Sequence, residues 1–324
     1  MSTGRGRGTE MVAAPRVLFS APPEWWPVYR QSLLGACAAQ GIDILLTDDP
    51  ADPAGFDYLV YRPGGPVADF TPFSRLKAVL SLWAGVERIA GDATLRAPLC
   101  RMVDESLTRG MVEWVTGHVL RYHLGIDAHL AGQDGVWRNA VAPPLARDRR
   151  VGILGLGVLG TAAATALAGL GFAVEGWSRL PRPPGAFPTQ AGTAGLTALL
   201  SRSEILVCLL PATAETENLL DARRLALLPR DARLINAGRG TLIDDAALLA
   251  ALDAGHLGHA TLDVFREEPL PPDHPYWAHP RVTVTPHVAA ETRPNTASEA
   301  IAENIRRGEA GLPFQHVVDR AHGY

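Results

Sequence analysis

The sequence predicts an α/β fold with two doubly wound parallel-sheet domains. Three observations carry that expectation. The chain has 324 residues, more than one domain usually holds. Its short apolar runs are bounded by Gly, Pro or Asp and read as buried strands. Those runs alternate with helical patterns, the arrangement that covers both faces of a parallel sheet.

Taken in order, "RVLFS" (16–20), "IDILL" (42–46), "DYLVY" (57–61) and "LKAVLSL" (76–82) are the first expected strands. Between the first two, "WWPVYRQSLLGACAAQG" has a helical pattern that Gly41 ends. A longer helical pattern runs from about Leu107 to Ala131 through Met111, Val115, Val119 and Leu120, stopping near Gly132. A new unit opens at Arg150, where "VGILGLG" reads as strand, "VLGTAAATALAGLG" as helix and "AVEGWSR" as strand. "LTALLSRSEILVCLLP", "ARRLALLPRDARLINAGRG" and "DDAALLAALDAGHLGHATLDVF" each read as helix then strand, and "RVTVTPHVAA" holds the closing strand. "ASEAIAENIRRGEAG" is a last helix that carries the chain away from this unit.

Composition narrows the function classes. Hydrophobic residues make up 47% and charged residues 20%, which supports a substantial core. A net charge of −4 gives no reason to expect nucleic acid or an anionic membrane as partner. Lys77 is the sole lysine, so almost every basic residue is arginine. The three cysteines, Cys37, Cys100 and Cys208, are scattered among apolar or small neighbours and read as buried free thiols. No apolar run approaches the roughly 18 residues that span a bilayer. The start, "MSTGRGRGTE", is too polar for a signal peptide and, with the residues to 14, reads as a flexible tail. A reducing, cytoplasmic setting is the expectation.

"GLGVLG" (155–160) follows the apolar "VGIL" and opens an Ala-rich helix. In that strand–turn–helix context a G-x-G-x-x-G is specific for a dinucleotide. Gly155 permits the tight turn, Gly157 lets the backbone approach a pyrophosphate, and Gly160 lets helix pack on strand. The amides at the helix N-terminus and the helix dipole then favour the anion. At the end of the next strand, "GWSRLPR" puts Ser178 where an acidic residue would hold a ribose 2′-hydroxyl, with Arg179 beside it and Arg182 close behind. A carboxylate there would repel a 2′-phosphate, whereas a hydroxyl and guanidiniums would bind one. NADPH is therefore expected over NADH, which remains a weaker alternative.

Three further segments end strands, where open α/β sheets bind ligands. "INAGRG" places Arg239 between two glycines that leave room for it; "LDVFREEPL" places Asp263, Glu267 and Glu268; "TVTPHVAA" places His287 among small residues. Singly, each has a bland reading as a solvated charge. Together they match hydride transfer to a carbonyl, which needs a proton donor at the developing alkoxide and a cation to hold a neighbouring carboxylate. Imidazolium suits the first task and a planar guanidinium the second. A carboxylate within reach of the imidazole would raise its pKa.

With "ILGLGVLG", "WSR", "LLPATAET", "DVFREEPLPP", "HPRVTVTPHVAAETRP" and "VDRAHGY", the chain from residue 15 onward resembles the D-isomer-specific 2-hydroxyacid dehydrogenase family, closest to its glyoxylate/hydroxypyruvate reductase A subgroup. The resemblance implies a Rossmann NADP-binding domain at 107–292, inserted into a flavodoxin-like substrate domain of residues 15–106 and 293–324. It implies Arg239 as substrate-carboxylate clamp, Glu268 as partner of the histidine, and His287 as proton donor. Besides the glycines, Ser178 and Arg179, it implies cofactor contacts from Val158, Leu159, Leu210, Pro211, Ala237, Gly238 and Asp263. Ala84, Gly85 and Val86 in "LWAGVE" would offer amides to the substrate. Trp83 departs from the small residue expected there and bears on the choice of substrate. Trp137, in "GQDGVWRNA", matches a loop that reaches toward a second subunit, and a homodimer is implied.

The expected reaction is reduction of short 2-oxo acids, glyoxylate and hydroxypyruvate, to 2-hydroxy acids. A larger 2-oxo acid, or a non-catalytic dinucleotide sensor or corepressor on the same fold, are the alternatives. The full set Arg239, Glu268 and His287 speaks against a pure sensor, and the "WSR" segment against formate or phosphite oxidation. His256 and His259 have a spacing that could ligate metal, but Gly255 and Gly258 interrupt the helix and no metal is expected. No G-x-S-x-G elbow supports a serine hydrolase.

Overall fold

Alternation along the first strands builds a sheet buried on both faces. In a computed structural model, which describes residues 13–139, 142–320 and 323, the chain forms two compact units. One runs from the first described residues to Asp104 and resumes at Thr292; the other is Glu105–Glu291. The expected N-terminal tail, apart from its last two residues, and part of "VDRAHGY" lie outside the described residues.

In the first unit, β1 (Arg16–Ser20), β2 (Leu45–Thr47), β3 (Tyr58–Tyr61), β4 (Ala78–Ser81) and β5 (Leu99–Cys100) pair in the order β2-β1-β3-β4-β5, all parallel. Val17, Phe19, Tyr58, Val60 and Leu80 face one core, with Leu33 and Cys37 of the helix Trp26–Ala39 and Ile301 and Ile305 of the helix Pro294–Glu309. Leu18, Leu59 and Val79, one residue out of phase, face the other core with Phe56 and Phe70. The period of two thus covers a sheet with apolar residues on both sides. The C-terminal helix returns to this unit because Ala297, Ile301, Ala302 and Ile305 make one buried stripe at helical spacing.

In the second unit, β6 (Arg150–Leu154), β7 (Ala173–Ser178), β8 (Thr189–Ala191), β9 (Ile205–Cys208), β10 (Ala232–Asn236), β11 (Leu257–Leu262) and β12 (Val282–Val284) give the order β12-β11-β10-β9-β6-β7-β8, again all parallel. Met111, Val115 and Val119 of the helix Glu105–Leu124 share one core with Ala163, Ala164 and Leu167 of the helix Val158–Gly169. Leu196, Leu199, Leu200, Leu225, Leu248 and Leu252, from helices on the opposite face, make the other. These are the two doubly wound parallel sheets that the alternation of elements predicts.

Three local expectations change. The helix expected over 107–131 is two helices, Glu105–Leu124 and Ile126–Ala131, because Gly125 adopts φ 65° and breaks the hydrogen-bond ladder. "IDILL" is strand only from Leu45, the residues after Gly41 being used to leave the helix. β5 and β8 escape a reading by apolar runs, since one has two residues and the other is Thr-Gln-Ala. The three cysteines are buried and free. Among the described residues no helix is long and apolar enough to cross a membrane.

Candidate active site

The order in which the chain adds strands to the second sheet reverses between β6 and β9, and the phosphate loop leaves β6 at that point. Gly155 has φ 99°, and a Cβ on it would lie 2.7 Å from the carbonyl oxygen of Leu209. A Cβ on Gly160 would lie 1.8 Å from the carbonyl oxygen of Gly155, so helix and loop touch backbone to backbone. Gly157, the N-cap of the helix, has nothing within 4 Å of where its Cβ would stand. The loop is thus closed on its protein side and open at the position that a pyrophosphate approaches, with helix amides behind it. Val158 is exposed and Leu159 half-buried beside it.

At the end of β7, the Ser178 hydroxyl donates to the carbonyl of Leu180 at 2.8 Å, and Arg179 is exposed. Arg182 reaches back, its Nη1 donating to Thr161 Oγ1 at 3.4 Å in the first turn of the phosphate-loop helix. A guanidinium therefore stands next to the helix N-terminus.

The catalytic candidates follow three adjacent strands, β10, β11 and β12. Asn236, buried at the end of β10, shapes the first loop: its amide donates to the carbonyl of Arg239 at 2.9 Å and accepts from the amide of Gly238 at 3.1 Å. Arg239 is half-buried and donates to the carbonyl of Gly238 at 2.6 Å. The flanking glycines serve a purpose other than giving the arginine room. A Cβ on Gly238 would lie 2.7 Å from the carbonyl oxygen of Leu210, and one on Gly240 would lie 1.9 Å from the carbonyl carbon of Phe265. Backbone contact there sets the Arg239 loop against the loop that carries Glu268. Gly240→Ala should force these loops apart and cost about 1–3 kcal/mol, read as a lower thermal midpoint together with lost turnover.

After β11, Asp263 is 1% exposed. One of its oxygens accepts from Thr285 Oγ1 at 2.6 Å and from the amide of Val288 at 2.9 Å; the other accepts from the amide of Ala289 at 2.9 Å. The carboxylate is thus a strut for the segment bearing His287, a task that the sequence did not disclose. His287 sits at φ 54°, a left-handed conformation that histidine adopts more readily than bulkier or branched residues. Its Nδ1 lies 2.7 Å from Glu268 Oε2, while Glu268 Oε1 accepts from the amide of Phe265 at 2.9 Å. Glu267 is exposed and has no part in this pair.

The hydrogen bond that His287 donates to Glu268 raises the pKa of His287; burial opposes it, the charges of Glu268 and Asp263 add to it, and Arg239 subtracts. For Glu268, burial pushes upward, but the bonds from His287 and the Phe265 amide, with the charges of His287 and Arg239, leave it below the ordinary carboxylate range. The signs fix the window. The histidine's share of stability is full below its unfolded pKa and is lost as pH rises through the raised value. The carboxylate's share is full above its own unfolded pKa and is lost as pH falls through the lowered one. The ion pair is therefore intact between the ordinary carboxylate and imidazole ranges. With Nδ1 turned to the carboxylate, Nε2 is the nitrogen from which a proton can be given, on a side chain that is 52% exposed.

His256 and His259 diverge: one meets the carbonyl of Leu225 at 3.2 Å, the other Thr283 Oγ1 at 2.9 Å. Burial holds His259 down to about 4, so it stays neutral. In the first unit, Trp83, Ala84, Gly85 and Val86 follow β4; the Trp83 amide and carbonyl both bond Ser81 Oγ at 3.0 Å, Trp83 is 37% exposed and Val86 is buried.

Residues 118–289 match the family model described as D-isomer specific 2-hydroxyacid dehydrogenase, NAD binding domain. The chain is 42% identical over 284 residues, 85% of its length and 90% of the relative's, to glyoxylate/hydroxypyruvate reductase A of Serratia proteamaculans. Among solved structures, a D-isomer specific 2-hydroxyacid dehydrogenase from Xanthobacter autotrophicus Py2 in complex with NADPH and MES is 40% identical, with a TM-score of 0.88 over 96% of this chain and 100% of that one. An NADPH-dependent glyoxylate/hydroxypyruvate reductase from Sinorhizobium meliloti, in complex with NADP and sulfate, is 38% identical, with a TM-score of 0.83 over the same shares.

Proposed function

The chain belongs to the D-isomer specific 2-hydroxyacid dehydrogenase family, and on that premise we propose that it reduces short 2-oxo acids, glyoxylate and hydroxypyruvate, to 2-hydroxy acids with NADPH. The observation that carries the reading is the Glu268–His287 pair at 2.7 Å, set beside Arg239 at the carboxyl ends of adjacent strands. NADPH, when bound, supplies the hydride. Gly155, Gly157 and Gly160 would receive its pyrophosphate, with Val158, Leu159, Leu210, Pro211, Ala237, Gly238 and Asp263 along its length. Glu268 keeps His287 protonated and aims it, and His287 gives its Nε2 proton to the developing alkoxide. Arg239 would hold the substrate carboxylate in two-point fashion.

Ser178, Arg179 and Arg182 would take the 2′-phosphate. Arg179→Asp should lower the preference for NADPH over NADH by about tenfold or more, the loss of a charge-assisted hydrogen bond. Comparing kcat/KM for the two cofactors checks this, and an unchanged preference removes Arg179 from the phosphate site.

The Glu105–Glu291 unit, which carries the phosphate loop together with Arg239, Glu268 and His287, would hold the dinucleotide. A homodimer is the assembly we favour: Leu130, Val136 and Trp137 are 68%, 60% and 89% exposed, apolar surface of a kind that a second subunit would cover. Three buried free thiols suit a cytoplasmic setting. A panel of 2-oxo acids, followed by the absorbance of reduced nicotinamide with NADPH and with NADH, tests the whole reading. No turnover with any of them would overturn it.

A further inference from the structure

The sheet of the Glu105–Glu291 unit has a second rim, at the amino ends of its strands and opposite the phosphate loop. β8 pairs only with Gly176, Trp177 and Ser178, so the first half of β7 has no strand beside it on that side. A cleft of about 500 Å³ opens there, between the starts of β6 and β7 and the residues that lead into β8 and β9. That is the size of a small-molecule site. β6 is five residues long, which puts the cleft roughly 15 Å from the phosphate loop at about 3.3 Å per residue.

The lining is apolar within and charged at the edge. Val151, Phe172 and Val174 are buried. Phe187 lies against β7 at Gly176, where a Cβ would stand 3.0 Å from the ring. Arg150, Arg202 and Glu175 supply the charge. Glu204 Oε1 accepts from Arg149 at 3.1 Å, and its Oε2 lies 3.5 Å from Arg150 Nε. Glu175 takes both of its bonds from arginine from one nitrogen, Nη2 of Arg202, at 2.9 Å each. Three guanidiniums thus meet two carboxylates, and one positive charge is left over. His123, edge-on to Phe172, adds none, because burial and then the charge of Arg149 hold it below the ordinary imidazole range.

Among the described residues, Nε and Nη1 of Arg202 and the whole guanidinium of Arg150 make no hydrogen bond. The two side chains are 46% and 56% exposed. Ion pairs this exposed hold weakly, so an incoming carboxylate can share their donors. Guanidinium donors beside buried apolar surface suit an acid whose body is apolar.

We propose that this cleft binds a small monocarboxylate with an apolar body, at a site separate from the phosphate loop and from Arg239, Glu268 and His287. The leftover positive charge sets the ligand's charge at one. The volume admits a ring or a branched chain, with its carboxylate at the arginines.

Benzoate is the probe, since it has one carboxylate, an apolar ring and no oxo group to reduce. Titrated calorimetrically into the whole chain, it should bind saturably, one per chain, with the same affinity with and without NADPH. Competition with NADPH would place benzoate in the dinucleotide site and overturn the proposal, as would the absence of saturable binding. Ala186→Trp fills the mouth of the cleft from an exposed position and should weaken benzoate about tenfold or more. Arg202→Met should cost about tenfold, the worth of one charge-assisted hydrogen bond. Arg239→Met should leave benzoate binding as it is, and a loss there would put the ligand at the catalytic candidates instead. Wild-type affinity in Ala186→Trp overturns the cleft, and wild-type affinity in Arg202→Met overturns the recognition of the carboxylate. If Arg202→Met does not fold, Ala186→Trp carries the comparison alone. The titration does not depend on turnover, so it stands or falls apart from the reductase reading.

Discussion

His287→Ala is expected to remove most turnover, about 10²–10⁴-fold, the usual worth of a positioned general acid. The expectation follows from the position of the ring. Its Nδ1 is committed to Glu268 at 2.7 Å, its Nε2 faces outward, and the loop beneath it is tied down by three hydrogen bonds to Asp263. None of those bonds to Asp263 comes from the imidazole, so the loop should survive the truncation. NADPH should therefore bind the variant with nearly wild-type affinity, as read by quenching of protein fluorescence. A variant that kept most of its turnover would return His287 to an ordinary loop histidine.

Arg239→Lys should be almost as damaging although it keeps the charge. An ammonium cannot reproduce the two-point grip of a guanidinium on a planar carboxylate, and the loss should be about 10–100-fold in kcat/KM for 2-oxo acids. The loop itself is set by Asn236 and by the backbone contact at Gly240, neither of which involves the guanidinium. Cofactor affinity should change little. A lysine variant with near-normal kcat/KM would remove the clamp.

Features confined to one short stretch were readable from the chain alone. The strands announce themselves because both faces of each sheet are buried, so that the middle of "RVLFS" and all of "VGIL" lack charged and polar side chains. The phosphate loop is legible for a similar reason: the backbone conformation at Gly155 and the contacts at Gly160 admit no side chain. Arg239, Glu268 and His287 could be picked out because each ends a strand. What the chain hid depends on partners far apart in sequence. Asp263 looked like one acid among three, and only the fold shows it gripping Thr285, Val288 and Ala289. The glycines around Arg239 suggested space, where the structure shows crowding by Leu210 and Phe265. Trp83 was visible as an odd residue, but its pairing with Arg62 and Trp25 is a property of adjacent strands, and no local pattern encodes it. β5 and β8 are too short for periodicity to register.

The central claim is that Glu268 holds His287 protonated so that it can donate. Hydride transfer followed in the pre-steady state across pH tests this most directly, since slow product release could mask the chemical step. Reduction needs imidazolium, so the rate should fall as pH rises through the histidine's raised pKa. Glu268→Gln keeps a side chain of the same shape and removes the charge, leaving burial and Arg239 to depress that pKa. The falling limb should then move to lower pH in the variant. A limb that stays where the wild type has it would contradict the account.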